Sequence, residues 1–355
     1  MTHAAAPDPR TEITITSAGR WSRCEGRYRG APFLALLADP DADTRLLPLL
    51  ERRGLHHSTP SEDATFALAA LGTPDQRDLR CVFLSNGAHA HIYPAGPEAP
   101  TLVLLHALVG NLHNWLPVME GLRGEVRLIA VDLPGHGRSA SRLPGPGARV
   151  GAQVVDWLED ALAELGVTDA HLVGHSLGGR VAAYYASARP EAVRSLTLLA
   201  PALRPALTGL RGLAARAASL VSILRDRAGA KWVARLVFFD MLVVQSQRNQ
   251  RLVTYALQDM LHDQRLQGYD GLRAALAWLR ARPDDRDIDW AALGGRVPVQ
   301  ALYGAADRYC PLRAHPGLAV GGVQVTELPG IGHLVPLEAP EAVLSTLRRQ
   351  LGLAL

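Results

Sequence analysis

The sequence predicts an α/β protein with a mainly parallel central sheet covered by helices on both faces. Three observations predict it. From about residue 80 onward, short continuous apolar runs alternate with segments of helical period. One of those runs enters the turn Gly174-His175-Ser176-Leu177-Gly178. Further on, Asp307 and His333 each stand just past an apolar run, in that order.

At 355 residues, with 48% hydrophobic and 20% charged residues, the chain has room for one large domain plus additions and a sizeable buried core. Its net charge of +3 is small, and the cations are spread without a basic block, which argues against nucleic acid as a partner. Almost all of those cations are Arg, Lys231 being the single lysine. Cys24, Cys81 and Cys310 are far apart and lack ligand spacing, so neither a disulfide framework nor a zinc site is indicated. The first residues, MTHAAAPDPR, have no apolar signal core, and the run FLALLA at 33–38 is too short to span a bilayer. The expectation is a soluble, cytoplasmic protein with no membrane span.

The elements follow in chain order. Residues 1–78 are expected to form a small α/β subdomain. TEITIT at 11–16 reads as a strand, and Thr59-Pro60-Ser61-Glu62 is a capping box that predicts a helix ending near Gly72 and Pro74. Residues 79–202 form the first part of the core. Its strands are Thr101 to His106, Val126 to Asp132, His171 to Gly174 and Ser195 to Ala200, apolar enough to be buried on both faces. Between them, Val154, Val155, Leu158, Ala161, Leu162 and Leu165 recur at helical spacing, and Val181 to Ala188 is a second helix ending before Pro190. Residues 203–294 are too long for a loop and read as a helical cap over the strand ends, with Trp232, Phe238, Phe239, Met241 and Trp278 as its apolar content. Residues 295–355 complete the core with strands Val299 to Tyr303 and Val323 to Leu328.

The G-x-S-x-G pattern gains weight from its setting between a strand and a helix. A sharp turn there raises Ser176 above the sheet, and Gly174 and Gly178 avoid collisions with neighbouring backbone. The helix beginning at Leu177 aims its free N–H groups at the place where an oxyanion would form, so the Leu177 N–H is one natural donor. His106-Ala107-Leu108-Val109-Gly110-Asn111 closes an earlier strand in a turn able to present a second donor, the Leu108 N–H. Asp132-Leu133-Pro134-Gly135-His136-Gly137-Arg138-Ser139 closes the next strand, with Asp132 expected to hold the turn by local hydrogen bonds. Asp307 in YGAADR and His333 in PGIGH fall at the strand edge where open α/β sheets bind ligands.

Taken together, HALVGN, DLPGHGRS, GHSLGG, YGAADRYCP and GIGHLVPLEAP resemble, in this order and spacing over roughly residues 80–350, the α/β-hydrolase fold superfamily, in particular its serine-nucleophile, esterase- or lipase-like members with a helical cap. The resemblance implies that Ser176, Asp307 and His333 form a catalytic triad, that Leu108 and Leu177 supply the oxyanion hole, and that Gly174, His175 and Gly178 shape the nucleophile elbow. One departure is Ala107, where the family usually has Gly. Relatives that open epoxides or remove halides carry Asp at the nucleophile position, so Ser176 argues against both reactions.

The expected activity is hydrolysis of a carboxylic ester through an acyl-serine intermediate, needing no metal or organic cofactor. Thioester hydrolysis, carbon-carbon bond cleavage and acyl transfer or cyclisation use the same triad and remain alternatives, as does a non-catalytic ligand-binding role. The apolar content of the cap points to a hydrophobic small-molecule substrate.

Overall fold

The computed structural model describes the backbone of residues 12–18, 21–28, 31–37 and 64–68, and then residues 80–139 except 109, 150–203, and 288–354 except 321. The helical cap expected at 203–294 falls almost wholly outside the described residues. Two compact units are present, Met1–Leu79 and Arg80–Leu355.

In the first unit, β1 (Glu12–Ala18), β2 (Trp21–Tyr28), β3 (Ala31–Leu37) and β4 (Ala64–Leu68) form a four-stranded antiparallel sheet in chain order. The strand expected at 11–16 is β1. The helix expected after the capping box is not what forms at 64–68: that stretch is β4, with Leu68 opposite Leu34 and Phe66 opposite Leu36. A capping box is a local signal, whereas the open edge of β3 offers a ladder of hydrogen bonds to the β-forming Thr65 and Phe66. The non-local pairing overrides the local preference. The described part of this unit is therefore all β, not α/β.

The second unit is built on an eight-stranded sheet. Its members are β5 (Arg80–Phe83), β6 (His89–Tyr93), β7 (Thr101–Leu105), β8 (Arg127–Asp132), β9 (Ala170–His175), β10 (Val193–Leu199), β11 (Val299–Gly304) and β12 (Gln324–Leu328). They lie side by side in the order β12-β11-β10-β9-β7-β8-β6-β5, and the six from β12 to β8 are mutually parallel. The hairpin β5–β6 adds an antiparallel edge through β8. Leu102 to Leu105, Leu128 to Val131 and Leu196 to Leu199 are buried, as central strands covered on both faces require.

The described helices are α1 (Leu116–Leu122), α2 (Val150–Glu164), α3 (Leu177–Ala188), α4 (Trp290–Gly294), α5 (Pro316–Val320), α6 (Val335–Glu338) and α7 (Pro340–Leu351). The periodic residues Val154, Val155, Leu158, Ala161 and Leu162 form the buried face of α2. Asp289 caps α4 by accepting the Ala292 N–H at 2.9 Å. Helix α7 ends in Gly352 at φ 68°, a left-handed cap that glycine adopts without penalty.

Strand order decides where a site can be. From β7 the chain goes to β8 on one side, then returns to β9 on the other, so the order reverses at β7. The crevice at such a reversal, beyond the carboxyl ends of the strands, is where open α/β sheets bind ligands. Ser176 follows β9 there, and residues 106–112 follow β7.

Candidate active site

Ser176 links β9 to α3 with φ 52° and ψ −111°, one of two non-glycine residues with positive φ among those described. Such backbone persists only where its surroundings fix it. Here the Ser176 N–H donates to Leu199 O at 2.9 Å, while its carbonyl accepts from Ala202 N at 2.8 Å and Arg180 N at 3.1 Å. The other such residue, Ala200 at φ 42°, lies in the same bracing segment, whose Ala202 and Leu203 carbonyls accept hydrogen bonds from the buried Arg180 guanidinium at 2.6 and 3.2 Å.

The two glycines of the elbow are dictated by close approach. A Cβ on Gly174 would lie 2.6 Å from Gly179 Cα, and one on Gly178 would strike the carbonyls of Leu105 and His106. Because Gly178 lacks a side chain, its N–H reaches His106 O at 3.1 Å and fastens the start of α3 to the end of β7.

The three residues expected to act together meet. His333 Nε2 lies 3.0 Å from Ser176 Oγ, and His333 Nδ1 lies 2.9 Å from Asp307 Oδ2. A carboxylate only accepts, so Nδ1 carries the proton toward Asp307 and Nε2 is left to accept from the serine hydroxyl. Asp307 Oδ1 accepts two backbone N–H groups, from Tyr309 at 2.7 Å and Cys310 at 3.0 Å. Burial alone would raise the Asp307 carboxyl, but the His333 imidazole and these N–H groups outweigh it and hold the pKa below the ordinary value. Gly304 at the end of β11 permits the meeting, because a Cβ there would collide with the carbonyls of Ile331 and Gly332 just before His333.

His175, expected in the elbow, donates from Nε2 to the backbone carbonyl of His333 at 2.8 Å, tying the end of β9 to the segment that carries His333. Burial, reinforced by the nearby His333, pushes its pKa down to about 3. His91 is likewise held well below its usual value by burial, with His89 and His113 adding to the effect. Both rings are neutral when folded and take up protons more readily when unfolded. Their contribution to stability is complete above pH 6.5 and declines as the pH falls below it, by roughly 1.4 kcal/mol per unit for each ring. The melting temperature is therefore expected to drop between pH 7 and pH 5. Replacing His91 with Gln should flatten that slope in thermal unfolding followed by circular dichroism.

The loop after β7 is built on imidazoles. His106 Nε2 accepts the Leu133 N–H at 2.9 Å, which places its proton on Nδ1, and Nδ1 donates to Ala107 O at 2.7 Å. A trans peptide points its N–H opposite to its carbonyl, so this bond aims the Leu108 N–H away from His106. Ala107 is half-buried and is not among the positive-φ residues, so the turn forms without glycine. Asp132 holds its own turn as expected, through Arg138 N at 2.9 Å, but it also accepts Leu112 N at 2.8 Å and bonds His89 at 2.7 Å. Against the opposing effect of burial, the hydrogen-bonded His89, with His106 and the Arg138 N–H, holds its carboxyl far below the usual range.

Sequence reasoning did not single out Arg180, Gly304 or the bonds that His106 makes. An arginine within the apolar stretch after the elbow was the one available signal. Among the described residues no group of three His, Cys, Asp or Glu side chains is arranged to hold a metal ion, and no described helix is long and apolar enough to cross a membrane.

The chain is similar to known proteins. Residues 100–340 match the family model described as the α/β hydrolase fold. The chain is 35% identical over 256 residues to the dihydrolipoyllysine-residue acetyltransferase component of an acetoin cleaving system from Pseudomonas putida, covering 71% of this chain and 63% of that protein. It is 29% identical over 309 residues to the component of the same name from Cupriavidus necator, covering 83% and 73%. The chain thus spans just under two thirds of the first relative's length. The enol-lactonase structure from Burkholderia xenovorans superposes with a TM-score of 0.61 at 20% identity, over 77% of this chain and all of that one. With the strand order, the strained serine turn and the matched region in agreement, the chain belongs to the α/β hydrolase family.

Proposed function

We propose that this chain is a serine hydrolase that cleaves a carboxylic ester through an acyl-serine intermediate. The observation that carries the reading is the unbroken hydrogen-bonded series Ser176 Oγ, His333, Asp307, which begins at a strained turn on the switch point of the sheet. His333 takes the Ser176 proton as Oγ attacks the substrate carbonyl, and Asp307 holds the imidazole in the required tautomer and stabilises the imidazolium. The N–H groups of Leu108 and Leu177 meet the oxyanion. His333 returns the proton to the leaving alkoxide, then activates a water that releases the acid. General-base help contributes roughly 10²- to 10⁴-fold, and one oxyanion donor roughly 10²- to 10³-fold.

Acyl transfer is a second reading, favoured by the two relatives whose names specify acetyl transfer to a dihydrolipoyllysine residue. In that case a thiol replaces water in the second step. Residues 1–79 contain no lysine, so such an acyl carrier is not provided by them. The test is a series of aryl esters of increasing acyl length, each with and without dihydrolipoamide, with products identified by mass spectrometry. Free acid in the presence of the thiol supports hydrolysis; acyl-dihydrolipoamide as the main product moves the assignment to transfer. No turnover of any ester or thioester by the folded protein contradicts both.

A further inference from the structure

We propose that His136 is a positioning residue that holds the oxyanion loop by donating from Nε2 to the carbonyl of Leu108, an inference that rests on the acyl-serine reading above. The ring is buried, and Nε2 lies 2.8 Å from Leu108 O, which is 28 residues away in the chain. Nδ1 lies 3.0 Å from Pro134 O within its own turn. A carbonyl can only accept, so the ring is the donor in whichever of these bonds it makes, and the shorter one crosses to the loop.

The turn that carries His136 is fixed before it reaches across. Gly135 and Gly137 take φ 74° and 53°, and a Cβ on Gly137 would run into the Asp132 carboxylate. The His136 N–H donates to Leu133 O at 2.9 Å, Ser139 N donates to His136 O at 3.0 Å, and the Ser139 hydroxyl donates to Asp132 O at 2.6 Å. The ring therefore leaves a rigid frame in a set direction.

What it grips matters for the site. The bond from His106 fixes the peptide plane between Ala107 and Leu108, and the bond from His136 fixes the plane that follows. The Leu108 N–H lies in the first of these planes, and with the Leu108 carbonyl also gripped the residue is held from both sides. Leu112 N on Asp132 secures the far end of the loop. An oxyanion donor must stand at hydrogen-bond distance from the charge that develops, and a displacement of about 1 Å costs on the order of a hundredfold in rate.

The two ring nitrogens allow a test with two variants. In His136→Gln the side-chain amide reaches about as far as Nε2 and keeps a donor for Leu108 O. In His136→Asn it reaches only about as far as Nδ1, so the amide is left to bond Pro134 O within its own turn and the bridge to Leu108 O is lost. Each is compared with wild type for kcat and KM on the best aryl ester, and for affinity toward a trifluoromethyl ketone, whose adduct with Ser176 bears an oxyanion. The expected result is a roughly 10- to 100-fold lower kcat for His136→Asn with KM within about threefold, an equal loss of ketone affinity, and substantial rescue by His136→Gln. Equal activity of both variants and wild type overturns the inference, as does a His136→Gln loss as large as that of His136→Asn, which would mark the turn itself as what matters. A wild type that neither turns over esters nor binds the ketone overturns the acyl-serine reading and this inference with it.

Discussion

Ser176→Ala is expected to lower kcat for ester turnover roughly a millionfold while leaving the melting temperature near that of wild type. The size of the effect follows from the reaction, because the oxygen that forms the acyl bond is removed and His333 has no proton to take. The small effect on stability follows from the bonding. Ser176 is held by its backbone N–H and carbonyl, through Leu199, Ala202 and Arg180, and all three contacts survive the substitution. A residual rate of roughly 10³-fold over water would persist from the oxyanion donors and substrate binding. Initial rates over a wide range of enzyme concentration, with differential scanning calorimetry beside them, measure both quantities.

Asp307→Asn is expected to cost about 10⁴-fold in kcat with the site still assembled. Its Oδ1 accepts from Tyr309 and Cys310, and an Asn carbonyl oxygen can keep those bonds. The amide then turns its NH₂ toward His333 Nδ1, where the carboxylate had accepted. The imidazole must place its proton on Nε2 instead, which faces Ser176 with a donor where an acceptor is needed. The same substitution removes the carboxylate that would stabilise the imidazolium. The rate of the variant should rise with pH beyond the plateau of the wild type, as hydroxide replaces the lost base. A loss below about tenfold would mean that Asp307 merely braces the loop.

The parts of the fold legible in the sequence were those with a period. Strands β7 and β8 are built on the continuous apolar runs Leu102 to Leu105 and Leu128 to Val131, and α2 shows a clear buried stripe, so these follow from patterning. The hairpin β5–β6 was not legible. Its second strand reads His89-Ala90-His91-Ile92-Tyr93, whose histidines look polar in sequence yet are buried against Asp132 and His113. At 64–68 a sound local helix signal lost to pairing with β3, a partner about thirty residues distant. Ser176, Asp307 and His333 stood out in the sequence because each stands just past a strand in a glycine-marked turn. The second layer was not, since an i to i+28 bond such as His136 to Leu108 leaves no trace in spacing. Arg180 is the intermediate case: its buried charge is conspicuous in an apolar helix, but only the structure shows that it grips the carbonyls of Ala202 and Leu203.

Covalent capture of the nucleophile tests the central claim most directly. The folded protein is treated with a fluorophosphonate, digested, and mapped by mass spectrometry, with Ser176→Ala alongside. The account predicts one stoichiometric adduct on the peptide containing GHSLGGR, at Ser176, lost in the variant and slowed by His333→Ala. An adduct on another residue, or none on a protein that melts cooperatively, would contradict it.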